Sequence, residues 1–126
     1  MSIKFNVINK RNPVNPEAPS KYYASSFITG KVGIEELTSR IEKLSTVSGA
    51  DIRAVLYAIV DVVPEIMSEG NSVTIGDLGS FRVSISSEGS DTAEEVTSAN
   101  IRSSRIIFTP GKKFKTMLKT LTYSKA

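Results

Sequence analysis

Residues 73–85 read VTIGDLGSFRVSI, residues 86–100 read SSEGSDTAEEVTSAN, and residues 101–121 read IRSSRIIFTPGKKFKTMLKTL. In the first piece, residues 73–75 and 80–85 carry strand-forming side chains and are separated by Gly76-Asp-Leu-Gly79, the composition of a glycine turn in a β-hairpin. The second piece is polar with a single Val. It cannot bury enough surface to be a core element, so it is expected to be a long loop or a projecting arm. Residues 105–109 return as a strand. Pro110-Gly111 then opens a helix whose Phe114, Met117, Leu118 and Leu121, at i, i+3, i+4 and i+7, form its buried face. Lys112, Lys115 and Lys119 stand on the other face. This basic stripe begins near the helix N-terminus, where free N–H groups also favour an anion.

Working towards the N-terminus, Ile34, Leu37, Ile41 and Leu44 make one helical stripe, which predicts a helix from Gly33 to about residues 45–47. Ser48 and Asp51 have the spacing of a capping motif for a second helix reaching about Glu69. The apolar residues Ile52, Val55, Leu56, Ile59, Val60, Val63, Ile66 and Met67 cover more than one stripe of that helix. It is therefore expected to pack on two sides, at an oligomer interface or in the centre of the core. Pro64 predicts a bend or a restart, and Gly70 supplies the helix stop. Residues 3–8 and 22–29 read as two strands joined by a loop that holds Pro13, Pro16 and Pro19, which should be extended and exposed. Its lysines and Arg11 are read as keeping the loop soluble, with contact to a polyanion as the other use.

The chain has 126 residues, room for one domain. It contains no Cys and no His, which removes disulfides, thiolate and imidazole metal sites, Cys nucleophiles and every triad that relies on a His base. No apolar run is long enough to span a membrane, so a cytoplasmic protein is expected. The net charge of +3 is unevenly spread. Residues 84–100 carry −4 (Glu88, Asp91, Glu94, Glu95), whereas residues 101–126 carry +7 (Arg102, Arg105, Lys112, Lys113, Lys115, Lys119, Lys125).

Three pieces together resemble the HU and integration host factor family of bacterial nucleoid proteins. These are the two-helix start GIEELTSRIEKLSTVSGADIRAVLYAIV, the hairpin VTIGDLGSFRV, and RIIFTPGKKFKTML, which is similar to the family's Phe-x-Pro-Gly-Lys segment. The resemblance covers residues 33–121. It implies an α+β, HU-like fold: two N-terminal helices, a three-stranded antiparallel sheet with a projecting arm at about residues 84–104, and a short C-terminal helix, in an intertwined dimer. Residues 1–32 resemble the extra N-terminal hairpin of a longer HU-like subfamily, and would add strands to the sheet or cover one of its edges. Residues 1–126 are thus read as one domain. The dimer, with itself or with a paralogue, is expected to use Ile52, Leu56, Ile59, Val63, Phe81 and Phe108.

The chain departs from the family where the arm should be basic and carry an Arg-Asn-Pro tip, since residues 84–100 are acidic and lack proline. The string Arg11-Asn12-Pro13 occurs in the N-terminal loop and is read as coincidence. Ser84, Ser86 and Thr109 stand where basic residues are usual. The resemblance leaves Arg82, Arg102, Arg105, Lys112, Lys113, Lys115 and Lys119 as the residues expected to neutralise phosphates of double-stranded DNA without base readout. The competing reading is an HU-like fold used as a structural or protein-interaction module through its acidic arm and N-terminal hairpin. An enzyme is disfavoured. Asp51, Asp61, Glu65 and Glu69 fit a cap and a solvated face rather than an acid–base cluster, and Tyr22, Tyr23 and Tyr57 read as packing residues. No cofactor, metal, membrane or small-molecule substrate is expected, and the setting implied is the nucleoid.

Overall fold

The strand-forming run at the N-terminus becomes β1 (Ile3–Lys10), and the aromatic run after the prolines becomes β2 (Lys21–Phe27). A computed structural model describes all 126 residues. Two helices follow, α1 (Ile34–Leu44) and α2 (Gly49–Ser68). Glu35 and Glu36 lie in the first turn of α1 and Lys43 in its last, the placement that a helix dipole favours. The Ser48 Oγ accepts a hydrogen bond from the Asp51 N–H at 3.3 Å, capping α2. α2 runs through Pro64 without interruption, so the helix does not restart there. One missing backbone bond near the end of a 20-residue helix is carried by the turns on either side.

Strand β3 (Val73–Ile75) leads through one 3₁₀ turn at Gly76–Leu78 into β4 (Gly79–Ser87), which pairs with β5 (Ile101–Pro110). The order β3-β4-β5 is antiparallel throughout. Because β3 reaches only Phe81, β4 and β5 continue beyond it as a two-stranded ribbon, from Arg82 to a bulge at Ser86/Ser87. The strand pairing is longer than the sequence predicts, and the acidic segment narrows to a closed loop over residues 88–100. Inside that loop the Glu88 N–H donates to the Asn100 carbonyl at 2.8 Å, and the Asn100 side chain bridges the Thr97 N–H and Ser90 Oγ.

The helix α3 (Lys112–Lys119) ends before Leu121, so that residue is half-buried outside the helix rather than on its face. A strand the sequence did not announce follows, β6 (Tyr123–Lys125), parallel to β1. The N-terminal hairpin therefore does not extend the β3-β4-β5 sheet. It builds a separate sheet of order β2-β1-β6, because β6 occupies the free edge of β1.

Packing within the chain centres on Ile52, Met67 and Thr38, the last one helical turn after Ile34, whose carbonyl its Oγ1 donates to at 2.7 Å. Phe108 joins sheet to helix: its ring lies 4.9 Å from Phe81 and meets Phe114 edge-on at 5.8 Å. Gly79 has φ of 148°, and a Cβ there would lie 2.6 Å from the Phe108 ring. At Gly111 a Cβ would run into the Asp77 carbonyl, so glycine is what lets α3 dock on the β3–β4 turn.

Much apolar surface stays uncovered. On β4 and β5, Val83, Ile85, Ile106 and Phe108 share one face and are all exposed, as are Val55, Ile59, Val60 and Val62 on α2. The chain exposes 10448 Å², whereas a compact monomer of its mass exposes about 6,600 Å².

Candidate nucleic-acid interface

Strand alternation sorts the ribbon into two faces. Phe81, Val83, Ile85, Ile106 and Phe108 occupy one; Arg82, Ser84, Ser86, Ser103 and Arg105 occupy the other. Ser84 stands opposite Arg105, and Arg82 is two residues from Ser84 on the same strand, so the two guanidinium groups are diagonal neighbours. No acidic residue lies within β3, β4 or β5. Ser84, Ser86, Ser103 and Arg105 border a shallow concavity of about 200 Å³. Hydroxyls beside a guanidinium are suitable donors to phosphate oxygens. Arg102 sits at the root of the loop, where its Nη2 donates to the Ser87 carbonyl at 3.4 Å.

The polar face continues to Thr109, and Pro110-Gly111 leads from there into α3. Lys112, Lys113, Lys115 and Lys119 are exposed on this helix, while Phe114 turns towards Phe108. Lys112 and Lys113 begin the helix, where the dipole disfavours cations by about 0.3–1 kcal/mol each. An anion seated there would reverse the sign of that term. Asp77 borders the same concavity as Lys112 and Lys113 without forming an ion pair with either. Both ion pairs of the chain belong to the helix pair, Arg40–Glu36 and Arg53–Glu35, so every expected phosphate ligand is free.

The structure thus brings Arg82 and Arg105 onto one face and strings the lysines along the adjoining helix. Of the expected dimer contacts, Ile52 is only 5% exposed in its own chain, already covered by the core; Leu56, Val63 and Phe81 are half-buried and Ile59 and Phe108 exposed. Asp51, Asp61, Glu65 and Glu69 do not converge with further ligands into a metal cluster. No helix is long and apolar enough to cross a membrane. The reading of Tyr22, Tyr23 and Tyr57 as packing residues is corrected: all three are exposed, and the Lys10 Nζ lies 5.8 Å from the centre of the Tyr23 ring. Residues 1–32 carry a net charge of +4, from Lys4, Lys10, Arg11, Lys21 and Lys31 against Glu17, although the sequence favoured a solubilising role over polyanion contact for the cations of the loop.

Comparison with known proteins agrees with this geometry. The model of the HU-HIG family, described as an HU domain fused to a wHTH, Ig or glycine-rich motif, matches residues 1–125. Among solved structures, one similar chain is described as a bacterial DNA-binding protein from Bacteroides vulgatus, with a TM-score of 0.66 and 15% identity, covering 98% of this chain and 48% of that one. This chain therefore spans about half the length of that relative. Another is Anabaena HU in a cocrystal with DNA, with a TM-score of 0.54 and 21% identity, covering 71% of this chain and 99% of that one. No curated protein matches in sequence.

Proposed function

Starting from the fact that the chain belongs to the HU-HIG family, we propose that it is a double-stranded-DNA-binding architectural protein that acts as a dimer and reads phosphates rather than bases. The observation that carries this reading is the acid-free, unpaired set Arg82, Arg105, Lys112, Lys113, Lys115 and Lys119, laid over one sheet face and the helix that continues it. Arg102 adds a cation at the far end of the ribbon, where the acidic loop begins. The solved relatives, one of them seen with DNA, support the same reading. It describes a binding protein and not an enzyme, without cofactor or small-molecule substrate.

The dimer is supported by the apolar face that the chain cannot cover itself. An excess of about 3,900 Å² per chain over a compact monomer exceeds the roughly 1,000–2,500 Å² that each partner buries in an obligate interface, and the projecting ribbon and hairpin account for the remainder. Residues 1–126 act as one domain in this reading, with the N-terminal hairpin as an addition to an HU-like core.

Fluorescence anisotropy of a labelled random duplex at several salt concentrations tests the proposal, with a single strand of equal length alongside. Binding that survives scrambling of the sequence, with a log–log salt slope of several units, is the expected result. Replacing Lys112 and Lys115 together by Ala should weaken binding evenly across sequences and lower the slope by about 1.8, or 0.9 per phosphate contact. Absence of duplex binding at low salt would overturn the function and favour a protein-interaction role for the acidic loop.

A further inference from the structure

The family reading leaves the N-terminal sheet without a task, yet this sheet carries an arrangement that costs folding energy. In the β1–β2 register Lys10 stands directly opposite Lys21, and Lys4 lies on the same face six residues down β1. Like charges directly opposite each other are destabilising. No carboxylate offsets them, since both ion pairs of the chain lie elsewhere. The Lys10–Tyr23 contact, at about 0.5–1 kcal/mol for an exposed cation on an aromatic ring, is of the same order as the repulsion but neutralises neither charge. Arg11 adds a further cation at the tip, where Lys10, Arg11, Asn12, Pro13, Lys21 and Tyr23 border a concavity of about 510 Å³.

The tip is also held in shape. The Asn12 Oδ1 accepts from the Val14 N–H at 3.0 Å, the Ala18 N–H donates to the Asn15 carbonyl at 3.0 Å, and Pro13, Pro16 and Pro19 fix the backbone between the strands. At its other end the hairpin is tied to the residues that follow α3. The Ile3 N–H donates to the Thr122 carbonyl at 2.8 Å, the Thr122 Oγ1 donates to the Met1 carbonyl at 2.9 Å, and the Ala126 N–H donates to the Phe5 carbonyl at 2.9 Å. From Ile3 to Lys10 the strand advances about 23 Å, at roughly 3.3 Å per residue. Along β1 the basic tip therefore stands some two-thirds of a duplex turn from Ile3, which pairs with the segment that follows α3, a turn being about 34 Å.

We propose that the β1–β2 hairpin is a second DNA-binding arm, whose Lys10, Arg11 and Lys21 hold backbone phosphates outside the segment held by α3 and the ribbon. The inference rests on the DNA-binding reading above and extends it. It accounts for the division of charge along the chain. The ribbon loop, at −4 over residues 84–100, cannot serve as a phosphate clamp, and the hairpin, at +3 over residues 3–27, takes that work at the other sheet.

The test uses the full chain with Lys10, Arg11 and Lys21 all replaced by Ala, beside a charge-conserving variant, K10R/R11K/K21R. All three side chains are exposed, and circular dichroism verifies that the fold persists. On a random duplex the Ala variant should lose about 2.7 units of salt slope and bind more than tenfold more weakly at low salt. The charge-conserving variant should retain both. The length of duplex occluded per bound dimer, read from saturation of a long duplex, is this footprint and should shorten in the Ala variant. If the wild-type chain binds duplex and the Ala variant binds with the same slope and footprint, the inference is overturned and the DNA-binding reading stands; if the wild-type chain binds no duplex, that reading fails first. Unchanged duplex binding with reduced self-association of the chain would assign the tip to the acidic loop of a second copy, and would likewise overturn the inference.

Discussion

Replacing Ile106 by Asp probes the apolar sheet face directly. Ile106 is 61% exposed and stands opposite Val83, which is exposed too. Fully burying such a side chain contributes about 2–3 kcal/mol, so covering the exposed part contributes roughly 1.5 kcal/mol per chain. A two-fold dimer contains the site twice, giving about 3 kcal/mol, or a factor of about 100 in the dissociation constant. The buried carboxylate adds its own desolvation cost, so 100-fold is the lower bound. Sedimentation equilibrium measures the constant, and thermal unfolding at several protein concentrations gives an independent reading, because a dimer melts at a temperature that rises with concentration. Val96→Asp serves as the control: it is also exposed, but lies in the ribbon loop away from this face, and should leave association unchanged. A wild-type chain that sediments as a monomer with a concentration-independent melt would refute the reasoning, as would equal dimer constants for wild type and Ile106→Asp.

Three further outcomes follow from individual contacts. Gly79→Val places a β-branched side chain at φ of 148° against the Phe108 ring and the Thr109 carbonyl, and should cost at least about 2 kcal/mol in urea unfolding. Ser48→Ala removes the acceptor for the Asp51 N–H and should lower stability by about 1 kcal/mol, read the same way. Replacing Glu94 and Glu95 by Lys reverses charge on the ribbon loop, and anisotropy should show severalfold tighter duplex binding at low salt that fades as salt is raised.

The helices, the hairpin around Gly76–Gly79 and the Pro110-Gly111 start of α3 were legible because each is a local matter of period, cap or turn. Ser48 with Asp51 and the Phe114 face of α3 needed no information from elsewhere in the chain. The paired length of β4 and β5 was not legible in this way. Residues 101–104 have little apolar pattern, and they become strand because β4 offers them a ladder across the loop. Strand β6 is a stronger case. Tyr123–Lys125 is too short to announce itself, and its partner β1 lies at the opposite end of the sequence. The placement of the N-terminal hairpin depended on that pairing, so of the two placements the sequence allowed, the one that adds strands to the main sheet is not the one found. The site was legible as a set of cations but not as a surface. Only the β4–β5 register puts Arg82 and Arg105 together, and only the β1–β2 register sets Lys10 against Lys21.

Charge and fold can be separated in this molecule more cleanly than in one whose arm is basic. The ribbon keeps the two-faced strand pattern, with apolar residues on one side and Arg82 and Arg105 on the other, but ends in a loop that repels phosphate. A duplex lying on the polar face would meet attraction from α3 and the ribbon's root and repulsion from its tip. Exposed charges act over about 10 Å at 0.1 M salt, so the acidic loop opposes only the DNA that reaches it. Under the proposed function, a bound duplex would be held along α3 and released at the ribbon tip. Reversing the charge of Glu94 and Glu95 should therefore do more than tighten binding: it should extend the protected segment on the ribbon side, while removal of the hairpin cations shortens it elsewhere. Occluded lengths that change in the same direction in the two variants would contradict this division of the surface.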